Sequence, residues 1–240
     1  MYKNYIFDLY GTLVDINTNE RKNSLWVKMA EFYSFNGANY THSELKKEYL
    51  RLCKIEEDKL KEKHEEPEIK IEKVFKKLYE NKGIKTDMKS VILTGQFFRI
   101  LSTKYIKLYD GVIDILELLK KKEKKIYLLS NAQQIFTEYE MRHLGIYDYF
   151  DGIVFSSDES CKKPSSKFYG ILFERYNLKK HESVMVGNDW IADIEGAKNF
   201  GIDNVYLHTN ISPMDTIIEN VQANYIFKDG DITKLDKIIK

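Results

Sequence analysis

Three short apolar runs each end on residues able to do chemistry, and a fourth such residue stands between them. Asp8 opens the stretch Asp8-Leu9-Tyr10-Gly11-Thr12-Leu13-Val14-Asp15 directly after Tyr5-Ile6-Phe7. Ser130-Asn131 follows Ile126-Tyr127-Leu128-Leu129. Asn188, Asp189 and, four residues on, Asp193 follow Val184-Met185-Val186, and Lys163-Pro164 precedes that run. The set offers a carboxylate, a hydroxyl, an ammonium and an acidic pair. Such groups can attack, donate, neutralise charge and hold a hard cation. Singly they specify nothing, since an aspartate at a strand end also serves as a cap and a lone lysine is usually solvated. Together, in this order, they specify a site if the runs lie side by side.

The runs argue that they do. Each is fully apolar over three or four residues, as are Ile153-Val154-Phe155 and most of Asn204-Val205-Tyr206-Leu207. Runs of this kind suit strands buried on both faces, hence a parallel sheet, whose ligands gather at the carboxyl ends near the point where strand order reverses. The segments between have helical spacing: Val112, Ile115, Leu116 and Leu119 share one face, as do Phe168, Ile171, Leu172 and Tyr176. Gly145 and Gly201 punctuate the ends of such segments. From about residue 107 onward the alternation predicts a doubly wound, Rossmann-like α/β core.

Residues 18–106 have another texture, with no strand evident. Thr41 and Glu44 fit a capping box ahead of Leu45, Tyr49, Leu52 and Ile55. Ile71, Val74, Phe75 and Leu78 repeat with helical spacing up to Gly83, and a further apolar helix is predicted over Met88 to Ile106. The charge run from Glu56 to Glu68 reads as a solvated face or loop. The expected organisation is a core of residues 1–17 and 107–240 interrupted by a helical block of residues 18–106.

Composition bounds the function classes. A chain of 240 residues that is 43% hydrophobic and 13% aromatic can bury a sizeable core. Lysine and arginine number 38 against 37 acidic residues, a net charge of +1, which argues against coating nucleic acid or an anionic membrane. The N-terminal stretch meets Asp8 before any long apolar region, and no apolar run approaches a membrane span. Cys53 and Cys161 form no CxxC pair, as expected of a reduced, cytoplasmic protein. The histidines His42, His64, His143, His181 and His208 show no metal-ligand spacing.

These motifs resemble those of the haloacid dehalogenase-like superfamily of hydrolases along nearly the whole chain. The matching stretches are FDLYGTLVD, LLSNA, the lysine of CKKPSSKFY, and VGNDWIADIEGAKNFGI. The helical block directly after the first motif looks like the α-helical cap that many members carry there. The resemblance implies a nucleophilic aspartate, Asp8, and for the phosphatase majority a Mg2+ ion. It also implies that Thr12 and Ser130, with Asn131 beside it, face the phosphoryl group, and that Lys163 neutralises charge. The Tyr10 carbonyl, Asp8, Asn188, Asp189 and Asp193 would supply the all-oxygen set that Mg2+ prefers.

Two positions depart from the superfamily pattern. Its phosphatases usually carry an aspartate two residues after the nucleophile as general acid and base, where this chain has Tyr10. A phenol titrating near pH ~10 is a poor base for water. Tyrosine there is what dehalogenases themselves look like, because halide leaves without a proton; packing under the cap is the plainer role. Asn188 stands where a metal-binding aspartate is usual, although its amide oxygen can still ligate Mg2+ and Asp189 follows at once. A dehalogenase would need no such acidic pair, and would need a cap cation for the substrate carboxylate. Lys46, Lys47 and Arg51 are the cations after Thr41, none placed as in those enzymes.

The expectation is therefore a Mg2+-dependent phosphatase acting on a small phosphorylated substrate through an aspartyl-phosphate. The alternatives are carbon–halogen hydrolysis through an aspartyl ester, and a catalytically weak protein that binds a phosphorylated ligand. Trp190 is expected to pack, Asp15 to fix the chain where it leaves the core, and Asp110 and Asp158 to lie in loops or turns.

Overall fold

The computed structural model describes residues 1–239. Strand β1 (Asn4–Phe7) leads through the Asp8–Leu13 loop into β2 (Val14–Thr18). Four helices follow: α1 (Asn23–Phe35), α2 (His42–Lys61), α3 (Ile71–Glu80) and α4 (Met88–Ser102). The chain returns through β3 (Thr103–Leu108) and then alternates α5 (Val112–Lys121), β4 (Lys125–Ser130), α6 (Gln134–His143) and β5 (Gly152–Phe155). A short helix α7 (Ser156–Glu159) precedes α8 (Ser166–Arg175), β6 (Ser183–Gly187), α9 (Gly196–Phe200), β7 (Asp203–Leu207) and β8 (Tyr225–Phe227).

Six strands form one parallel sheet in the order β5-β4-β1-β6-β7-β8. All five apolar runs are strands within it. Their alternation distributes the core: Tyr5, Phe7, Leu128 and Val186 pack under α5, while Ile6, Leu129 and Met185 pack under α8 and α9. Succession runs outward from β1 to β5 on one side and from β6 to β8 on the other. The switch point therefore lies between β1 and β6, where the segments after Phe7 and Gly187 emerge side by side. Gly145 and Gly201 end their helices at φ +72° and +87°, a left-handed conformation open to glycine at little cost.

Helices α1–α4 share a separate apolar cluster built on Trp26, Tyr33, Tyr49, Phe75 and Phe98. Thr41 caps α2 by accepting from the Glu44 amide, and the Glu44 carboxylate reaches back to the Thr41 amide. Among the described residues no helix is long and apolar enough to cross a membrane.

Several expectations need correcting. The helix predicted to Ile106 ends at Ser102, where Ser102 and Thr103 hydroxyls donate to the Arg99 carbonyl and Thr103 turns extended. The next six residues form β3, which pairs antiparallel with β2, and the 17/18 and 106/107 divisions fall inside that ribbon. Strand β8 extends the sheet by three residues that carried no distinct signal. The charge run is solvated only in part. Glu56, Asp58, Lys59 and Lys61 pair along exposed α2, but Glu66 and Glu68 dock on the core. There the Glu66 carbonyl accepts from the Lys162 amide (3.0 Å), and the Glu68 amide donates to the Ser160 carbonyl (3.1 Å). The Glu68 carboxylate accepts from Gln133 (2.9 Å) and Ser156 (3.2 Å), and burial raises its pKa. Asp158 likewise lies in α7, paired with Lys70 of the helical block at 2.6 Å.

Candidate active site

The sheet gathers most of the sequence-predicted residues around one cavity of about 230 Å³ at the β1/β6 switch point. Asp8, Tyr10, Ser130, Asn131, Lys163, Asn188, Asp189 and Asp193 all contribute to its lining. Asp8 is held where β1 ends, because its amide still donates to the Val186 carbonyl of β6 (3.0 Å). Its Oδ1 accepts from Lys163 Nζ at 2.7 Å and from Ser130 Oγ at 3.3 Å, leaving Oδ2 unengaged. Lys163 Nζ also donates to Asp193 Oδ1 at 2.6 Å, and the Lys163 and Asp193 side chains are each 1% exposed. Burial works against the ammonium, but Asp193 and Asp8 outweigh it and hold the Lys163 pKa above its ordinary value. Burial raises the Asp193 carboxyl in turn, against the pull of Lys163. One positive charge thus serves two buried carboxylates.

The remaining residues brace this centre. Asn131 forms a two-way amide clamp on the Lys163 backbone: Oδ1 accepts from its amide (2.8 Å) and Nδ2 donates to its carbonyl (3.0 Å). Asp189 caps the helical turn Trp190–Glu195, with Oδ1 accepting from the Ile191 (2.9 Å) and Ala192 (2.8 Å) amides. Asp193 Oδ2 accepts from the Asp189 amide (3.0 Å), so both Asp193 oxygens are engaged and it acts here through Lys163 and the Asn188-Asp189 backbone. Thr12 does not line the cavity. Its buried hydroxyl donates to Asn188 Oδ1 at 3.2 Å and aims that amide. Gly11 sits at φ +88° with Asn188 so close that a Cβ would fall 2.2 Å from its amide nitrogen, a cradle open only to glycine.

Among the described residues no three His, Cys, Asp or Glu side chains converge as a ready metal cluster. A divalent ion would lean on mixed oxygens instead: free oxygens of Asp8 and Asp189, the Asn188 amide and a backbone carbonyl. Hard oxygen donors around excess negative charge fit Mg2+.

Tyr10 is committed elsewhere. Its hydroxyl donates to Glu140 Oε2 and lies 2.9 Å from Thr137 Oγ1, both on α6. Burial first, then the Glu140 carboxylate, push the phenol well above its ordinary pKa, with Arg99 opposing. Lys46, Lys47 and Arg51 are absent from the cavity; Lys46 donates to the Arg21 carbonyl and Arg51 pairs with Glu48. Trp190 packs against Ile194, Tyr206 and Val221, and Asp15 accepts from Tyr105 and Asn210, each at 3.1 Å.

Two groups of site residues carry no mark in the sequence patterns above. Ile211 and Pro213 form a cavity wall after β7, in a loop tied down by Thr209 donating to the Gly11 carbonyl (2.7 Å). Their one signal is position, since the loop leaves the carboxyl end of β7 at the same sheet edge as Asp8, Ser130 and Asn188. Arg99 and Glu140 stand behind Tyr10, and no local signal pairs positions so far apart.

The model of the haloacid dehalogenase-like hydrolase family matches residues 2–201. Glyceraldehyde 3-phosphate phosphatase of Methanothermobacter thermautotrophicus is 29% identical over 121 residues, half of each chain. The chain spans about half the length of the curated relatives it first matches. Pyrimidine 5'-nucleotidase PynA of Streptococcus pneumoniae is 22% identical across 95% of this chain and 93% of its own. Solved phosphatases and dehalogenases share the fold, among them 2-haloacid dehalogenase of Pseudomonas syringae (TM-score 0.63, 18% identity, 100% of this chain and 98% of that one). A strand-end aspartate tied to a buried lysine thus coincides with a family match over most of the sequence. The chain belongs to the haloacid dehalogenase-like hydrolases.

Proposed function

We propose that this hydrolase is a Mg2+-dependent phosphatase of small phosphorylated metabolites, with Asp8 as nucleophile and helices α1–α4 as a cap over the site. The observation that carries the reading is the buried chain Asp8–Lys163–Asp193, with contacts of 2.7 and 2.6 Å at the sheet's switch point. Asp8 attacks phosphorus, and the bond to the leaving oxygen breaks with its electron pair staying on that oxygen. Water then attacks the aspartyl-phosphate and the Asp8 carboxylate is regenerated. Lys163 offsets the negative charge of nucleophile and phosphoryl group, which would otherwise repel each other. Ser130 helps fix Asp8, while Asn131 holds Lys163 and Thr12 holds Asn188. Asp8, the Tyr10 carbonyl, Asn188 and Asp189 would hold Mg2+, which when bound supplies further neutralisation of phosphoryl charge.

Halide displacement through an aspartyl ester remains the rival chemistry because of Tyr10. Arg99 stands behind that tyrosine, but its guanidinium is already paired with Glu140, which weighs against its service to a substrate carboxylate. The relatives' names, phosphatase and nucleotidase, support the phosphate reading.

The test is a screen of phosphorylated metabolites with Mg2+ and with chelator, run beside Asp8→Asn. Phosphate release that needs Mg2+ and falls to background in the variant is expected. Residual turnover within about tenfold of wild type contradicts a covalent nucleophile at Asp8, and metal-independent halide release from a 2-haloacid assayed alongside overturns the phosphatase reading.

A further inference from the structure

Arg99 on α4, Glu140 on α6 and Tyr10 in the nucleophile loop meet where the helical block joins the sheet. Arg99 Nε lies 2.6 Å from Glu140 Oε1, and a terminal guanidinium nitrogen lies 3.3 Å from Oε2, a two-pronged pair. The same Oε2 accepts from the Tyr10 hydroxyl. The guanidinium also lies 5.5 Å from the Tyr10 ring centre and 5.3 Å from that of Phe136, within cation–π range of both. The Arg99 and Glu140 side chains are only 15% and 13% exposed, so the pair is shielded from solvent in a way the exposed pairs along α2 are not.

What distinguishes this cluster from an ordinary domain contact is its third member. Tyr10 is one of the residues that line the active-site cavity, and its backbone lies two residues from Asp8 in a loop already pinned by Gly11 and Thr12. A side chain held from α6 and from α4 therefore ties three things together: the position of the helical block, the conformation of the nucleophile loop and one wall of the cavity.

We propose that Arg99 and Glu140 are positioning residues that clamp Tyr10, so that seating of the helical block and the shape of the leaving-group wall are set together. The activity arm of this proposal rests on the phosphatase reading above; the structural arm does not. In the clamped state the wall is fixed before substrate arrives. Release of the clamp leaves the phosphate end of the cavity, built by Asp8, Ser130 and Lys163, in place, but lets the wall against the leaving group wander. The cost therefore falls on substrate binding more than on turnover.

The test compares Glu140→Gln, Tyr10→Phe and their double variant in the intact protein. With p-nitrophenyl phosphate and Mg2+, each single variant is expected to raise KM by about tenfold with kcat changed by less than about threefold. The double variant should be no worse than the poorer single one, because both break one unit. Additive losses, or a fall in kcat at unchanged KM, overturn the clamp. Arg99→Lys, which keeps charge and one donor, should recover part of what Arg99→Met loses; equal losses overturn the pairing.

Hydrogen exchange of metal-free, substrate-free protein supplies the second readout. Glu140→Gln should speed exchange in α4 and at the amides of residues 11–13 together, leaving β6 and β7 protected. Faster exchange in α4 alone means that the pair only docks the helical block, and the proposal fails whatever the kinetics show. Should Glu140→Gln fail to fold, the same comparison is made with Arg99→Lys. If the wild type hydrolyses no phosphate ester, the phosphatase reading falls while the exchange result still decides the clamp.

Discussion

At the scale of single residues, the proposed chemistry turns on what Tyr10 does in a place where a proton donor would be useful. Its hydroxyl is spent on Glu140 and Thr137, and burial holds its proton tightly. Of the other carboxylates of the cavity, Asp193 is bound through both oxygens, and Asp189 spends Oδ1 on capping a helical turn and keeps one oxygen free. A poor alkoxide leaving group gains most from a proton as it departs, whereas a nitrophenolate or an acyl carboxylate leaves without one. Tyr10→Asp should therefore help alkyl phosphates more than activated ones. It also removes the ring clamped by Arg99 and Glu140, so rates on both classes can fall, and the readout is their ratio. The kcat/KM for an alkyl phosphate relative to p-nitrophenyl phosphate is expected to rise by about tenfold, equivalent to ~1.4 kcal/mol of barrier. An unchanged ratio would mean that a carboxyl at this position supplies no proton to the leaving oxygen.

At the scale of elements, the sequence was legible wherever a pattern repeated within one element. The five apolar runs became five strands, and the Thr41–Glu44 box became the start of α2. That cap is exposed and is absent from the cavity. Thr41→Ala should cost about 1 kcal/mol of stability in chemical denaturation and leave kcat unchanged. A change in kcat beyond twofold would tie α2 to the chemistry. Legibility failed where pairing was non-local. Val14–Thr18 and Thr103–Leu108 are too short and too mixed to read as strands until they find each other across the whole helical block, and Ile106 happens to continue the helical spacing of α4. The site divides the same way. Asp8, Ser130, Lys163 and Asn188 were legible because each follows or precedes a recognisable run. The Tyr10–Glu140 bond spans 130 positions and the Arg99–Glu140 pair spans 41, and neither leaves a trace in local spacing. Ile211 and Pro213 were in reach of the strand-end rule, but apolar wall residues carry no chemistry to mark them.

At the scale of the whole molecule, the site's charge balance links metal to folding. Among the described residues Lys163 alone pairs with Asp8 and Asp193, both buried, while Asp189 adds a third carboxylate at the cavity. Negative charge confined away from water destabilises the folded state, and a cation that binds only that state restores the loss by mass action. Asn188→Asp sharpens both sides of this balance. The fourth carboxylate would sit against Gly11 and Thr12, where the asparagine amide now accepts a hydrogen bond. Without metal, the variant should unfold at a lower temperature than wild type. With saturating Mg2+, the variant should gain more than wild type does, because an added anionic oxygen tightens the site. A tenfold lower Kd is worth ~1.4 kcal/mol. For a chain of this size that corresponds to an extra rise in Tm of roughly 3–6 °C. The measurement is thermal unfolding of both proteins in chelator and across a Mg2+ series. A larger Mg2+ increment in the variant than in wild type supports an ion held beside Asn188. Equal increments would place the ion elsewhere, and no increment in either protein would remove Mg2+ from the account of this site, leaving Lys163 as the counter-charge to Asp8 among the described residues.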